Sequence, residues 1–236
     1  MKLIPALLLS TLFSAAAFAY PVNIPDYNYS LTDVLDRGVT KEQMFSQMDR
    51  SFMKLGNSVC ANRALVWLND FNRFYGVHGA KIFLFYTDRT GGEGSKEWWY
   101  HVAPVIAERG QLYVLDAGFT FIDQPLYPQV WMNLFAKNSE CKEIQADETD
   151  LVQLMNEGRQ FPSNTRYGNY NCYYKIVPEG LWFPQNVAQS LEGGYVSNTI
   201  QPQDVFDACV EASTTNLGRF FGSGKDKCKK YLGFSF

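Results

Sequence analysis

Trp98-Trp99-Tyr100-His101-Val102-Ala103 runs on to Glu108, turns at Arg109-Gly110, and returns as Gln111-Leu112-Tyr113-Val114-Leu115-Asp116. Two apolar, aromatic-rich runs around a Gly-containing pair read as a β-hairpin. With Arg109-Gly110 as the loop, Glu108 pairs with Gln111, and Asp116 falls opposite Ala103. Asp116 is then a diagonal neighbour of His101 on one face of the sheet, within side-chain reach. A four-residue loop keeps that parity, whereas a three-residue loop puts the two on opposite faces. A histidine inside an aromatic strand needs polar partners, and this register offers it a carboxylate.

Upstream, Lys81-Ile82-Phe83-Leu84-Phe85-Tyr86 has the short apolar character of a buried strand, and Thr90 to Ser95 forms a polar, Gly-rich loop. Two helices precede it. Thr40-Lys41-Glu42-Gln43 is a capping-box pattern, followed by Met44, Met48, Phe52 and Leu55 at helical spacing, with Gly56 as the stop. Asn57 or Ser58 caps a second helix that carries Ala61, Ala64, Leu65, Leu68 and Phe71 and ends at Gly76. Cys60 lies in its first turn. Helices followed by an antiparallel sheet define an α+β chain.

The pattern weakens beyond Asp116. It predicts helical pieces over Val130–Phe135, Asp147–Glu157 and Asp204–Ala212, and a strand within Tyr167–Tyr174. Little else after Pro178 is assigned.

Met1-Lys2 followed by the apolar stretch Leu3–Phe18 and by Ala17-Phe18-Ala19 has the layout of a cleaved leader. The expected organisation is a signal peptide over 1–19 and one domain over 20–236. That domain divides into a catalytic core of about 40–135 and a disulfide-stabilised part of about 136–236. Secretion or periplasmic residence follows, with no stable membrane insertion after cleavage. The full chain has 21 basic and 24 acidic side chains, and loss of Lys2 makes the mature chain one unit more acidic. No basic stripe is present, so nucleic acid is not an expected partner. A hydrophobic content of 46% argues for a packed globule, expected to be a monomer.

Export gives the five cysteines their meaning. Cys141, Cys172, Cys209 and Cys228 cluster in the C-terminal half and allow three connectivities, the simplest being Cys141–Cys172 with Cys209–Cys228. Cys60 is the odd one, isolated at a helix start, where the free amides and the dipole favour a thiolate. Of the two histidines, His78 sits in a turn, so His101 is the base available to it. Cys60, His101 and Asp116 form the candidate triad of nucleophile, base and orienting acid. The two histidines and the four clustered cysteines do not fit zinc-ligand spacing, and neither metal nor cofactor is expected.

Three segments sharpen this reading. Cys60-Ala61-Asn62-Arg63-Ala64 fits Cys-x-x-Arg-Ala, and Trp98-x-Tyr100-His101-Val102-Ala103 fits Trp-x-Tyr-His-Val-Ala. Asp116 is followed by a Pro-containing loop and Trp131. In this order and spacing they resemble the bacterial protein-glutaminases, secreted enzymes that deamidate glutamine side chains in proteins. The resemblance spans about 57–131 and implies a papain-like, transglutaminase-related core, with the nucleophile at a helix start packed on an antiparallel sheet. It assigns the triad roles to Cys60, His101 and Asp116, and makes glutamine-bearing proteins or peptides the substrates. Ala117-Gly118 departs from the Pro-Ser that usually follows the family's aspartate.

Weaker candidates surround the triad. Asn57 and Ser58 are placed to donate to an oxyanion, although capping is the simpler duty, and Trp98, Trp99 and Tyr100 can wall a substrate groove. Strand alternation allows either Trp98 with Tyr100, or Trp99, to do so. Arg63, one turn after Cys60, reads as a structural ion-pair partner. Three other readings stay open: transglutaminase-like acyl transfer, a cysteine protease with the same triad, and a non-catalytic secreted binding module.

Overall fold

The computed structural model describes residues 31–48, 60–89, 98–136, 141–193, 200–213 and 223–233. The expected leader, Asn57 and Ser58 lie outside them, as do Phe52, Leu55 and Gly56 of the first expected helix.

Thr40 closes both halves of its capping box. Its hydroxyl accepts from the Gln43 N–H at 3.2 Å, and the Gln43 side chain accepts from the Thr40 N–H at 2.9 Å. This starts α1 (Lys41–Gln47). Glu108 takes both the backbone N–H and the ammonium of Lys41, which ties α1 to the hairpin turn. Helix α2 (Cys60–Tyr75) ends as its sequence requires: Gly76 adopts φ 64° and its N–H reaches the Asn72 carbonyl at 2.8 Å.

The central sheet runs in the order β3-β2-β1-β7-β4, from β1 (Ala80–Tyr86), β2 (Tyr100–Glu108), β3 (Gln111–Val114), β4 (Cys141–Glu143) and β7 (Cys172–Pro178). A separate short ribbon pairs β5 (Asn164–Thr165) with β6 (Gly168–Asn169). The hairpin has the expected register, with Glu108 opposite Gln111 and Val105 opposite Val114. Arg109 and Gly110 both take positive φ, 53° and 70°, as a two-residue turn matched to strand twist demands. The sheet is mixed where an antiparallel one was expected, because the edge strand β4 pairs in parallel with β7. β7 lies against the middle strand, so the C-terminal half completes the sheet that the N-terminal half begins.

Helices cover both faces, which is why β1 is buried from end to end. Ile82, Leu84, Ala103, Val105 and Val114 pack with most of the α2 core positions and with Trp131 and Phe135 of α3 (Pro128–Phe135). Phe83, Phe85, Val102 and Tyr173 pack with α4 (Thr149–Glu157) and α5 (Pro184–Leu191). Cys141 and Cys172 are bonded register partners on β4 and β7, with Cα atoms 4.5 Å apart. Cys209 and Cys228 join α6 (Pro202–Ser213) to α7 (Ser223–Leu232) at 5.9 Å. Among the described residues no helix is long and apolar enough to cross a membrane.

Candidate active site

Helix α2, strand β2 and the segment after β3 converge on His101. β3 pairs with only the far half of β2, Val105–Glu108. One further bond, Leu115 N–H to the Pro104 carbonyl at 3.0 Å, carries the register past the end of β3. The chain then leaves the sheet, and the Asp116 carboxylate turns back to His101. The distance from His101 Nε2 to Asp116 Oδ2 is 2.7 Å, and both residues are sealed from solvent.

Three groups hydrogen-bond Asp116, His101 among them. Oδ2 also accepts from the Trp131 indole N–H at 2.9 Å, and Oδ1 accepts from the Gly118 N–H at 3.1 Å. The Arg63 guanidinium lies nearby: a Cβ built on Gly118 would lie 2.9 Å from Arg63 Nη2 and 3.0 Å from Asp116 Oδ1. Burial pushes the Asp116 carboxyl up, but the charge and hydrogen bond of His101, the Trp131 N–H and Arg63 outweigh it, and the group stays below the usual carboxylate range.

With Nε2 engaged, Nδ1 is the nitrogen left for the thiol. It has no hydrogen-bond partner among the described residues. Burial alone would lower the His101 pKa. The carboxylate of Asp116, with the thiol of Cys60 second, raises it to about 9. Aromatic rings close the cage: Trp98 and Trp131 stack on the imidazole at 6.0 and 5.4 Å, and Phe119 and Phe135 approach to 5.2 and 4.7 Å. Ring faces favour a cation there.

Cys60, first residue of α2, is the free cysteine among the described residues and is half-buried. Burial pushes its thiol up, yet the nearby His101, first through its polar side chain and then its charge, with the charge of Arg63 and the Val102 backbone N–H, holds it below the ordinary thiol value. A lowered thiol beside a raised imidazole favours passage of the thiol proton to His101. Tyr100 borders the same thiol, since burial first and the Cys60 charge second hold its hydroxyl protonated.

The structure thus brings Cys60, His101, Asp116 and Tyr100 together. Trp98 and Trp99 precede β2 rather than belonging to it, so alternation does not govern them. Trp98 stacks on His101, while Trp99 packs at 6.0 Å against Phe85 of the other core. His78 is exposed and pairs with Glu179 at 3.2 Å. Neither Val102 nor Gly118 carries a site role that the sequence alone predicts. Trp131 carried a signal, as the tryptophan that follows the aspartate, but its indole bond depends on how α3 docks.

Residues 38–135 match a protein family described as glutaminase. That stretch holds Cys60, Arg63, His101, Asp116 and Trp131. The resemblance read from the sequence holds there. No curated protein matches the chain. Among solved structures, the NMR structure of protein-glutaminase from Chryseobacterium proteolyticum aligns with 14% identity and a TM-score of 0.42, over 76% of this chain and 85% of that one.

Proposed function

We propose that this protein is an exported thiol amidohydrolase that converts glutamine side chains in proteins or peptides to glutamate, releasing ammonia. The observation that carries the reading is a lowered thiol beside a buried His101–Asp116 pair, inside the stretch that matches the glutaminase family. In that reading the chain is a leader over 1–19 and a single papain-like domain, and the leader directs it to the periplasm or the medium.

The chemistry follows from the groups. The Cys60 thiolate, favoured by the Val102 N–H beside it, attacks the carboxamide carbon. The C–N bond then breaks. His101 gives its proton to the departing nitrogen, which leaves as ammonia, and a γ-glutamyl thioester remains. Neutral His101 next takes a proton from water as the oxygen attacks the thioester. Glutamate leaves and the thiolate–imidazolium pair is restored. Asp116 holds Nε2 throughout, which keeps Nδ1 aimed at the reacting atoms.

Incubating the chain with a blocked glutamine peptide, with and without a primary amine, tests the reading through released ammonia and peptide mass. Ammonia with conversion of the amide to the acid is expected in both arms. Amine incorporation in place of the acid would move the chain to acyl transfer, and backbone cleavage would move it to proteolysis.

A further inference from the structure

We propose that Arg63 is a positioning residue of this site, a fixed cationic strut between Cys60 and Asp116, and that position 118 is glycine to admit its guanidinium. The proposal rests on the amidohydrolase reading above and adds a residue to its machinery.

Arg63 lies three residues after Cys60 on α2, so the two share a helix face. It is only 1% exposed. Burying a guanidinium is costly unless the site around it is built for the charge. Here the site is the rear of the triad. Gly118 makes the fit visible: a Cβ on it would stand 2.9 Å from Nη2 and 3.3 Å from Nε of Arg63, and 3.0 Å from Asp116 Oδ1. A methyl there would have to push the guanidinium aside, and Gly118 does not belong to the positive-φ glycines. Space, not backbone conformation, is therefore what selects glycine here. His101 and Trp131 occupy Oδ2 of Asp116, whereas Oδ1 accepts from the Gly118 N–H, and the Arg63 guanidinium lies across the space a Gly118 Cβ would fill.

The reaction cycle gives such a strut its use. His101 balances the Asp116 carboxylate only while it holds its proton, and that proton leaves with ammonia. The guanidinium keeps its charge at every stage. It therefore steadies Asp116 through the neutral-histidine half of the cycle, when water must be activated. The same charge favours the thiolate at the front of the site, and Arg63 acts in this direction on both Cys60 and Asp116.

The test uses Arg63→Met, Arg63→Lys and Gly118→Ala in the mature chain. The readouts are the pH profile of Cys60 alkylation by iodoacetamide, located by peptide mapping, together with kcat and KM on the blocked glutamine peptide. R63M is expected to move the alkylation profile to higher pH and to lower kcat about tenfold or more, with KM changed less than about twofold. R63K restores the alkylation profile and part of kcat. G118A keeps the arginine but displaces it, and shifts both readouts in the same direction as R63M. An unchanged alkylation profile in R63M, with kcat falling only in step with the folded fraction, would overturn the proposal. If R63M does not fold, G118A decides alone, and wild-type values in that variant overturn it. Alkylation needs no substrate. A chain that releases no ammonia would therefore sink the amidohydrolase reading, while the alkylation profile would still decide the role of Arg63.

Discussion

His101 on β2 and Lys81 on β1 are both fully buried basic side chains, carried on opposite faces of the same sheet, and their surroundings treat them in opposite ways. His101 has a carboxylate at 2.7 Å, and its pKa is raised to about 9. The Lys81 ammonium donates to the Leu181 carbonyl at 2.9 Å and has no carboxylate in hydrogen-bond contact among the described residues. Burial dominates there, only partly offset by the more distant charges of Glu179 and Asp204, and its pKa falls to about 7. A low-dielectric interior penalises both cations. The difference is the built counter-charge: Asp116 is itself held by Trp131, Gly118 and Arg63, and nothing equivalent supports Lys81. Burial alone lowers the pKa of a cation, and burial with a supported carboxylate raises it.

Removing the counter-charge should erase the contrast. Asp116→Asn is expected to lower kcat by about three to four orders of magnitude, by analogy with loss of the orienting acid in other triads. In the wild type, kcat/KM declines as pH rises past about 9, where His101 gives up its proton. In D116N that limb moves to lower pH, because the group that raises the His101 pKa is gone. A kinetic pH profile checks both, and an unmoved limb would break the comparison.

The opposite substitution should do little to activity. Lys81→Met is expected to leave kcat and KM unchanged and to alter the pH dependence of stability. The folded-state pKa of Lys81, about 7, lies below the ordinary 10.5. The unfolded chain therefore binds more protons between those values, and wild-type stability rises with pH across that window. K81M lacks that contribution, so its denaturation midpoint should climb less from pH 7 to 10.5. Equal slopes in the two proteins would show that Lys81 is not depressed.

How much of this was legible in the sequence follows from how local each contact is. The hairpin needed only a turn type and counting, so the His101–Asp116 pairing could be derived from residues 98–116. Cys60 stood out by parity of the cysteines and by its place at a helix start. The grip on Asp116 was less visible. Arg63 reads as a generic ion-pair partner until α2 is docked, and Gly118 reads as a loop residue until the space its Cβ would fill is known. The position of β7 beside β1 is a long-range pairing that no local pattern encodes, and the parallel edge strand β4 has only three residues. Helix α5 opens on Pro184 directly after Trp182-Phe183, with Asn186 reaching back to the Phe183 N–H at 2.9 Å, a start that lacks a Ser, Thr or Asp signal. Helix α7 is lysine-rich and, among its described side chains, buries only Cys228 and Leu232 besides Gly224, too thin a stripe for periodicity to find.

The proposed chemistry begins at the Cys60 thiol. Wild-type chain and Cys60→Ala should be compared for ammonia release from a blocked glutamine peptide, after circular dichroism has established that both are folded. The account predicts ammonia from the wild type and none above background from C60A. Ammonia from folded C60A at the wild-type rate would contradict it.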